Sequence, residues 1–586
     1  MQKKDPIFAC EMKKKLFLLL FVLVLAAEIF AQNVLPLGMR SAADEPLHEV
    51  RAVWLTTIGG LDWPHSYSQS ARSAARQQKD FCDILDKLRV AGINTVLLQT
   101  RIRATTIFPS DMEPWDGCLS GFPQRSPGYD ALAFAIDECH KRGMKLHAWV
   151  VAIPVGRWDG DGCKTLRKRV PHLLKKIGGE GFMNPEESET ADYLARFCRD
   201  IARRYDVDGI HLDYIRYPET WKLIADRDKE RDNITRIVKS VHDAVKSEKP
   251  WVMMSCSPVG KYADTKRQWS HGWNARDVVC QDAALWLEKG YMDALFPMMY
   301  FRGQNFYPFA IDWKERSEGK IIVPGLGIYF MDKREKDWPL TDITQEMNVL
   351  RQYGMGFCFF RSKFFTDNVK GLYDYTESVF SRQPSLVPPM TWLEKSRPVS
   401  PQEVNVMGCN DSLLLSWTVD SVSLSRCRDK GGILYNVYGS ASAPVDVTKA
   451  DNLLMASYSD NAIMIPKSRM CYFAVTTTDR YGNESEPCQS GPGTNVENEK
   501  QAGNYAVRFF SCDGDRVFLD GVDVSEGQLV EIVPMVGNAL TSAFIRMHEG
   551  KPCIDVKGIA SGHYVVNLIN RKGFRHRLGM FSIEIR

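Results

Sequence analysis

The sequence predicts an α/β protein, a (β/α)8 TIM barrel followed by one or two small all-β sandwich domains. Eight short β-rich runs recur in the first 370 residues, with starts about 44 residues apart, and helical patterns lie between most of them. Beyond Phe380 the pattern changes to β only. Strands that alternate with helices indicate a parallel sheet, and eight such units close into a barrel.

Each strand of the predicted barrel is a short apolar run. The eight runs are Val50–Thr57, Thr95–Arg101, Lys145–Val151, Gly209–Tyr217, Trp251–Ser257, Ala294–Tyr300, Ile321–Tyr329 and Gly356–Ser362. Between them, apolar residues recur at helical spacing, as in Phe81, Ile84, Leu85 and Leu88. Several helices run into a glycine just before the next strand, where a positive φ ends the helix.

Proline-rich and polar stretches divide the chain into domains. The short strands of the second domain, with an apolar Trp417 and the turn of Tyr481 to Asn483, resemble a fibronectin type III sandwich. The predicted domains are a barrel at 47–380, a Pro-rich linker at 381–402, the sandwich at 403–490, a second linker at 491–503 and a C-terminal β domain at 504–586.

The start of the chain has the form of an export signal. Three lysines, Lys13 to Lys15, precede an apolar run from Leu16 to Ala27, and Ala31 offers a small residue for cleavage. A run of this length is shorter than the roughly 20 residues that a transmembrane helix needs. We therefore expect residues 1–31 to be a signal peptide and the mature chain to be periplasmic, at the outer surface or secreted, with no transmembrane segment.

The composition excludes several classes of protein. Hydrophobic residues make up 44% and charged residues 25% of the chain, so it is globular and not disordered. The net charge of +3 gives no broad positive field, so we expect no nucleic-acid partner. No C-x-x-C pair occurs, which disfavours a zinc ribbon or a thioredoxin site, and we expect neither a metal nor a cofactor.

The fourth strand is the most informative part of the barrel. Along it Ile210, Leu212 and Tyr214 alternate with Gly209, His211 and Asp213, and the second set is expected to face the barrel axis. This places Asp213 at the C-terminal mouth, where barrels of this kind carry their active sites, with His211 one layer below. A carboxylate in a half-desolvated mouth is either paired, with Arg216 or Arg101, or functional.

Other strand ends and loops supply further polar and aromatic side chains to the mouth. Together they describe a polar, aromatic mouth with several carboxylates, which suits a polysaccharide. These candidates are Asp62, Gln99, Arg101, Glu113, His147, Trp149, Tyr300, Tyr329 and Arg361.

Glycosidic bond cleavage normally uses two carboxyl groups, one that protonates the leaving oxygen and one that acts as nucleophile or base. We expect Asp213 to be the ionised group, because neighbouring arginines would lower its pKa. No strand end supplies the proton donor directly. It must come from a loop, with Glu113, Asp62 and Glu219 as candidates in that order.

The residues of the barrel together resemble glycosyl-hydrolase-like family ten. The resemblance rests on EVRAVWLTT…LDWP, GINTVLLQTRIR…EPW, KRGMKLHAWV, MNPEE, RYDVDGIHLDYIRYP and FPMMY, and covers about residues 47–380. It implies a glycoside hydrolase barrel, some of whose relatives act on peptidoglycan glycan strands without peptides. By motif position it supports Asp62, Gln99, Arg101, Glu113, His147, Trp149, Asp213 and Tyr300 as site residues. Many relatives carry two adjacent acids at the end of strand four, whereas here Tyr214 follows Asp213.

The sequence also leaves rival functions open. A protein that binds or scaffolds glycans without cleaving them is the main alternative, because no strand end carries a second acid. A metal-dependent hydrolase on the same barrel would need more histidines than the His211–Asp213 pair. A serine esterase is disfavoured because G-x-S-x-G is absent.

Overall fold

A computed structural model describes residues 45–583 of the chain, apart from twelve internal gaps. The gaps are 224–225, 410–411, 421–430, 467–471, 491–509, 514, 523, 525–527, 535–540, 558, 560–561 and 570–574. The predicted signal peptide and the second linker lie outside the described residues. The chain divides into two compact units, one within 45–403, 418–460 and 472–489, the other within 404–417, 461–471 and 490–583.

The first unit contains the barrel, whose strands are shorter than the sequence indicates. They are β1 Arg51–Leu55, β2 Thr95–Ile102, β3 Lys145–Val151, β4 Gly209–Asp213, β5 Met253–Cys256, β6 Ala294–Leu295, β7 in two segments Ile321–Ile322 and Gly325–Leu326, and β8 Phe357–Phe359. Prolines and a left-handed residue account for the early ends. Pro324 interrupts β7, Pro297 follows β6, and Tyr214 after β4 has φ 49°.

All eight strands are parallel and the sheet closes. Neighbours pair in the order β1 to β6, the first segment of β7 pairs with β6, and the second segment pairs with β8. β8 in turn pairs with β1, with Arg51 opposite Phe357. The predicted (β/α)8 barrel is confirmed.

Helices connect the strands on the outside of the barrel. They are α1 Ala71–Val90, α2 Ala131–Lys141, α3 Ser188–Arg204, α4 Arg227–Glu248, α5 Ala283–Glu288, α6 Tyr307–Glu315 and α7 Leu340–Gln352, and short helices Ser362–Thr366 and Leu372–Tyr375 follow β8. The predicted face of α1 is buried, with Phe81, Leu85 and Leu88 inaccessible to solvent.

The two faces of β4 divide as the alternation predicts. Ile210 and Leu212 pack with the helices in the outer core. His211 faces inward, with its ring 5.2 Å from Phe296 and 6.0 Å from Trp54, two residues of the core inside the barrel. Asp213, two residues further on, therefore lies at the C-terminal end of the barrel interior.

From Glu403 onward the described elements are β-strands and a 3-10 turn at Ala450–Asn452, as the change of pattern after Phe380 predicts. In the first unit, an antiparallel sheet runs in the order Leu453–Tyr458, Leu434–Ser440, Tyr472–Thr478, Cys488–Gln489. In the second unit, residues 511–583 form two four-stranded antiparallel sheets. A further sheet comprises Glu403–Cys409, Ser412–Thr418 and Ala462–Pro466. The fibronectin type III identity and the domain boundaries stay predictions. In the part of the chain described, no helix is long and apolar enough to cross a membrane.

Candidate active site

A cleft of about 1050 Å³ opens at the C-terminal end of the barrel. Its walls come from the loops that follow β4, β5, β6 and β7. Tyr214, Arg216 and Glu219 line it from the first of these loops, and Tyr300 lines it from the third. Since active sites of such barrels lie among these loops, the cleft is the candidate active site.

Asp213 directly precedes Tyr214, which lines the cleft, and is held by three hydrogen bonds. Its Oδ1 accepts from the Tyr214 backbone N–H and from the Ser257 hydroxyl, both at 2.7 Å, and its Oδ2 accepts from the Trp149 indole N–H at 3.1 Å. The residue is 6% exposed. These contacts fix the carboxyl group and leave one lone pair of Oδ2 for a proton.

The net pKa shift of Asp213 differs from the sequence-based expectation. Burial raises the pKa of Asp213, and the Ser257 hydrogen bond and the Arg216 charge offset that shift only in part. Arg216 lowers the pKa as expected, but the expected net lowering is wrong because the net shift is upward. The physical reason is that desolvation of the carboxylate outweighs the charge of Arg216, which is itself paired with Glu219.

Among the described residues that line the cleft, Glu219 is the one with a carboxylate side chain. Its Oε1 lies 2.6 Å from the Arg216 guanidinium, three residues earlier in the loop after β4. Arg216 is 3% exposed and lies against the Tyr214 ring, 4.4 Å from its centroid. The pairing fixes both side chains on one wall of the cleft, while the Glu219 side chain keeps 24% of its surface exposed.

Glu113 and Arg101 form a buried ion pair below the mouth. The Arg101 Nη2–Glu113 Oε1 distance is 2.7 Å, both side chains have no exposed surface, and the Tyr193 hydroxyl donates to the same oxygen at 3.1 Å. Arg101 also donates to the backbone oxygens of Val151 and Ala152 at the end of β3. The structure thus does not bring Glu113 or Arg101 to the cleft surface.

Asp62 is also buried and tied into the barrel rim. Its Oδ1 lies 2.6 Å from Arg361 Nη1, and its Oδ2 accepts from the Thr56 amide and hydroxyl. The Gln99 side-chain oxygen accepts from the amides of Thr57 and Ile58 at 3.1 and 2.9 Å. These contacts join the loop after β1 to strand β2 and to the loop after β8.

The two predicted histidines lie inside the barrel. His211 has no exposed surface, accepts from the Trp54 indole at 3.4 Å and contacts the Ser255 hydroxyl at 3.0 Å, and burial holds its pKa well below the usual range. His147 sits closer to the N-terminal end of β3, against Gly209, and burial lowers its pKa to about 4. Both are therefore neutral interior residues, away from the cleft.

Two tyrosines extend the site across the end of the barrel. The Tyr300 and Tyr329 rings are 5.8 Å apart and perpendicular. Burial first, and then the nearby charge of Asp213, raise the pKa of Tyr300 well above its usual value. Tyr300 is thus a neutral hydroxyl next to Asp213 and lines the cleft above it.

The barrel matches a family of known sequences. The model of the glycosyl hydrolase-like 10 family matches residues 49–222 and 220–335, which include β1 to β7 and the cleft-lining loops after β4, β5 and β6. Over these residues the barrel is similar to the glycosyl hydrolase-like 10 family. With this match, and with relatives named glycosyl hydrolases, the chain is a glycoside hydrolase.

The chain is also similar to two proteins that are named glycosyl hydrolases. The glycosyl hydrolase YngK of Bacillus subtilis strain 168 is 26% identical over 478 residues, which is 75% of this chain and 92% of that protein. The glycosyl hydrolase DigH of Escherichia coli K12 is 31% identical over 287 residues, 43% of this chain and 65% of that protein. Among solved structures, α-L-fucosidase isoenzyme 2 of Paenibacillus thiaminolyticus is similar with a TM-score of 0.38 and 14% identity over 56% of this chain and 49% of that one.

In this barrel, several cleft residues were not predicted from the sequence. Trp269 and Trp273 come from the long loop after β5, and Arg302 and Lys336 from the loops after β6 and β7. The sequence carries one signal for the loop after β5. Its two tryptophans lie in a polar stretch that has neither strand nor helix periodicity, so they do not belong to a predicted core. The two basic residues carry no comparable signal, because solvent-exposed lysine and arginine are ordinary on a surface.

The charges that line the cleft are mainly positive. The cationic lining residues are Arg216, Lys261, Arg302 and Lys336, and the lining carboxylate is Glu219. Arg216 pairs with Glu219, Lys261 with Asp264, and Arg302 with Asp342. The Lys336 amine instead lies over the Phe330 ring, 3.7 Å from its centroid. Over the described residues, no group of three or more His, Cys, Asp or Glu side chains could hold a metal ion.

Proposed function

We propose that this glycoside hydrolase cleaves a polysaccharide in the cleft above Asp213 by carboxylate acid/base chemistry. The observation that carries the proposal is the raised pKa of Asp213 at the end of β4, next to a cleft whose wall carries the ion-paired Glu219. A buried carboxyl group whose pKa is raised suits proton donation to a leaving oxygen. A carboxylate held by an arginine suits the role of nucleophile or base.

In this mechanism Asp213 donates its proton to the glycosidic oxygen as the bond to the anomeric carbon breaks. Glu219 then either adds to the anomeric carbon or deprotonates the water that does so. Arg216 keeps Glu219 oriented, and the neutral Tyr300 hydroxyl lies close to Asp213 as a further hydrogen-bonding group. After hydrolysis the proton from water returns to the carboxyl pair.

Glu113 and Asp62, the other two predicted catalytic acids, are assigned here as positioning residues. Glu113 orients Arg101, which holds the backbone of Val151 and Ala152, and the Ala152 amide donates to the Asp213 carbonyl oxygen at 2.8 Å. Asp62 holds Arg361 at the opposite side of the rim. Both pairs would support the mouth without touching the reacting atoms.

The substrate that we propose is a peptidoglycan glycan strand without peptides. The resemblance found in the sequence suggests this class, and the cleft supports it, because Lys336 lines the cleft with no carboxylate partner among the described residues. Muramic acid carries a lactyl carboxylate once its peptide is removed. An unpaired ammonium such as that of Lys336 would attract that group.

We propose further that the chain acts outside the cytoplasm. The basic start, apolar run and Ala31 of the first 31 residues support export. N-terminal sequencing of the protein recovered from the source cell's periplasm, surface or medium tests this. Cleavage after a residue near Ala31 is expected, and an intact N-terminus in the cytoplasm would contradict it.

Product release from denuded peptidoglycan strands and from a panel of neutral polysaccharides tests the reaction. Turnover on the amino-sugar strands is expected. Binding without turnover would instead favour a glycan-binding scaffold, the alternative left open by the sequence.

A further inference from the structure

The long loop after β5 leaves the barrel and returns at a single point. The Ala275 amide donates to the Lys261 carbonyl oxygen at 2.9 Å, and the Arg276 amide donates to that of Tyr262 at 3.0 Å. The residues between these closing bonds contain no helix or strand. Compact surface loops whose ends lie close together are often functional.

A buried lysine amine organises the loop. Lys261 is 4% exposed, and its Nζ donates to Asp264 Oδ1 at 2.6 Å, Ser270 Oγ at 2.9 Å and the His271 carbonyl oxygen at 3.1 Å. The three acceptors satisfy all three N–H groups of the ammonium, which a buried charge requires. The same bonds fix the two residues directly after Trp269.

Two tryptophans project from this fixed loop onto the cleft. Trp269 is 80% exposed and Trp273 is 53% exposed, and both line the cleft. The Trp269 ring is 5.1 Å from the His271 ring. Rings as large as these are usually buried, and exposed apolar patches on a groove mark binding sites. Hydrogen bonds fix this loop, yet both tryptophan side chains stay exposed at the cleft. The loop therefore holds the two indole rings in place for a ligand of the cleft.

We propose that Trp269 and Trp273 form an aromatic platform that stacks against pyranose rings of the substrate chain, with Lys261 as its positioning residue. This rests on the proposed function and extends it to the part of the cleft that binds sugars away from the bond being cleaved. A pyranose presents apolar C–H groups on its face and hydroxyls on its edge, so a ring face covers the indole while the hydroxyls stay in reach of polar lining groups such as Asn305.

The platform also predicts a preference for length. The cleft volume of about 1050 Å³ exceeds the range of about 300–1,000 Å³ typical of sites for small ligands. We therefore expect a substrate that covers Asp213 and also stacks on the tryptophans to contain more than one sugar unit. The platform should therefore lower the KM for chains and have little effect on the shortest substrate that is cleaved.

Steady-state kinetics of Trp269→Ala and Trp273→Ala on denuded glycan strands and on the shortest cleaved oligosaccharide test the platform. A KM increase of about tenfold or more is expected on strands, the size usual for truncation of a stacked tryptophan, with kcat and the short-substrate KM little changed. Lys261→Met should reproduce the combined effect of both variants, because it releases the loop. Tyr353→Ala removes a 37% exposed aromatic after α7 and is the control.

Tryptophan fluorescence titration with the same strands keeps the test independent of turnover. Quenching of the wild type that disappears in Trp269→Ala and Trp273→Ala supports the platform even if no hydrolysis occurs, in which case only the proposed reaction fails. Unchanged KM and unchanged binding in both variants overturn the platform while turnover stands. Absence of glycan binding by the wild type overturns both proposals.

Discussion

The Ser257 hydroxyl donates a 2.7 Å hydrogen bond to Asp213 Oδ1, which joins the residue after β5 to the last residue of β4. Together with the Trp149 indole and the Tyr214 amide, it leaves the carboxyl group a single orientation. The bond stabilises the ionised form, whereas burial favours the protonated form and dominates. The proposed role of Asp213 as the proton donor depends on this balance.

Ser257→Ala should move the basic limb of the pH profile to higher pH. The hydrogen bond from Ser257 lowers the pKa of Asp213, so its removal raises that pKa further. If Asp213 is the proton donor, activity is lost as the pH rises through its pKa, and the variant keeps activity to higher pH. The pH dependence of kcat measures this, and Ser257→Thr, which keeps a hydroxyl, should restore the wild-type limb. A basic limb that stays in place in Ser257→Ala would argue against the donor role.

Glu219→Gln should lower kcat by about 10²- to 10⁴-fold, the range for loss of a positioned acid/base group. The amide keeps the size of the side chain and loses the negative charge paired with Arg216. Glu288→Gln, an exposed acid on α5, is the matched control and should retain full activity. Equal activity in the two variants would remove Glu219 from the mechanism.

Glu113→Gln should destabilise the barrel by about 3–5 kcal/mol, the usual cost of leaving one member of a buried ion pair without its partner. Both Arg101 and Glu113 have fully buried side chains, so water cannot replace the lost charge. The free energy of unfolding from urea titration is the measurement. Asp83→Asn, which breaks the exposed Lys79–Asp83 pair on α1, should leave that free energy unchanged within error. A similar small effect for Glu113→Gln would show that the pair is not needed for stability.

Glu346→Gln should stabilise the protein increasingly as the pH rises. Glu346 is 1% exposed, neither of its carboxyl oxygens has a hydrogen-bond partner among the described residues, and burial raises its pKa well above its usual value. The folded state therefore binds the proton more tightly than the unfolded chain, so the free energy of unfolding of the wild type falls as pH rises from about 4.5 through the folded pKa. The variant does not titrate there. Unfolding titrations at several pH values should show a difference that grows with pH, and a constant difference would contradict the assignment.

Lys336→Gln should raise the KM for glycan strands with lactyl carboxylates by several-fold to about tenfold, with little change in kcat. Lys336 has no carboxylate partner among the described residues and lies over Phe330 on the cleft wall. Strands whose carboxylates are reduced to alcohols should give the same KM for wild type and variant. Lys333→Gln changes an exposed lysine of the same loop that does not line the cleft, and should behave as wild type. Equal effects on both substrates would exclude recognition of the carboxylate by Lys336.

The sequence predicted the barrel and the inward face of β4 because both follow from local periodicity. The alternation around Asp213 and the spacing of strands and helices need no knowledge of distant contacts. The same reasoning overestimated β4, β6 and β7, because it extended the strands past a left-handed residue at Tyr214 and past Pro297 and Pro324.

The details of the site could not be predicted because they depend on tertiary contacts. Glu113 and Arg101 are 12 residues apart, and only the folding-back of the loop after β2 brings them together in a dry environment. The sign of the Asp213 pKa shift depends on how much water the loops exclude. Trp269 lies in a polar stretch of the sequence, but only the bonds of Lys261 show that its loop folds on itself and holds the ring at the cleft.

Product release from denuded peptidoglycan strands by the protein lacking residues 1–31 and by its Asp213→Asn variant tests the role of Asp213 most directly, with folding and strand binding checked in parallel. We expect turnover by the wild type, and a turnover rate at least about 10²-fold lower in the variant when it is folded and binds the strands. Turnover by the variant at the wild-type rate would contradict the role of Asp213, and no turnover by either form on any glycan, with binding intact, would contradict the proposed hydrolysis of these strands.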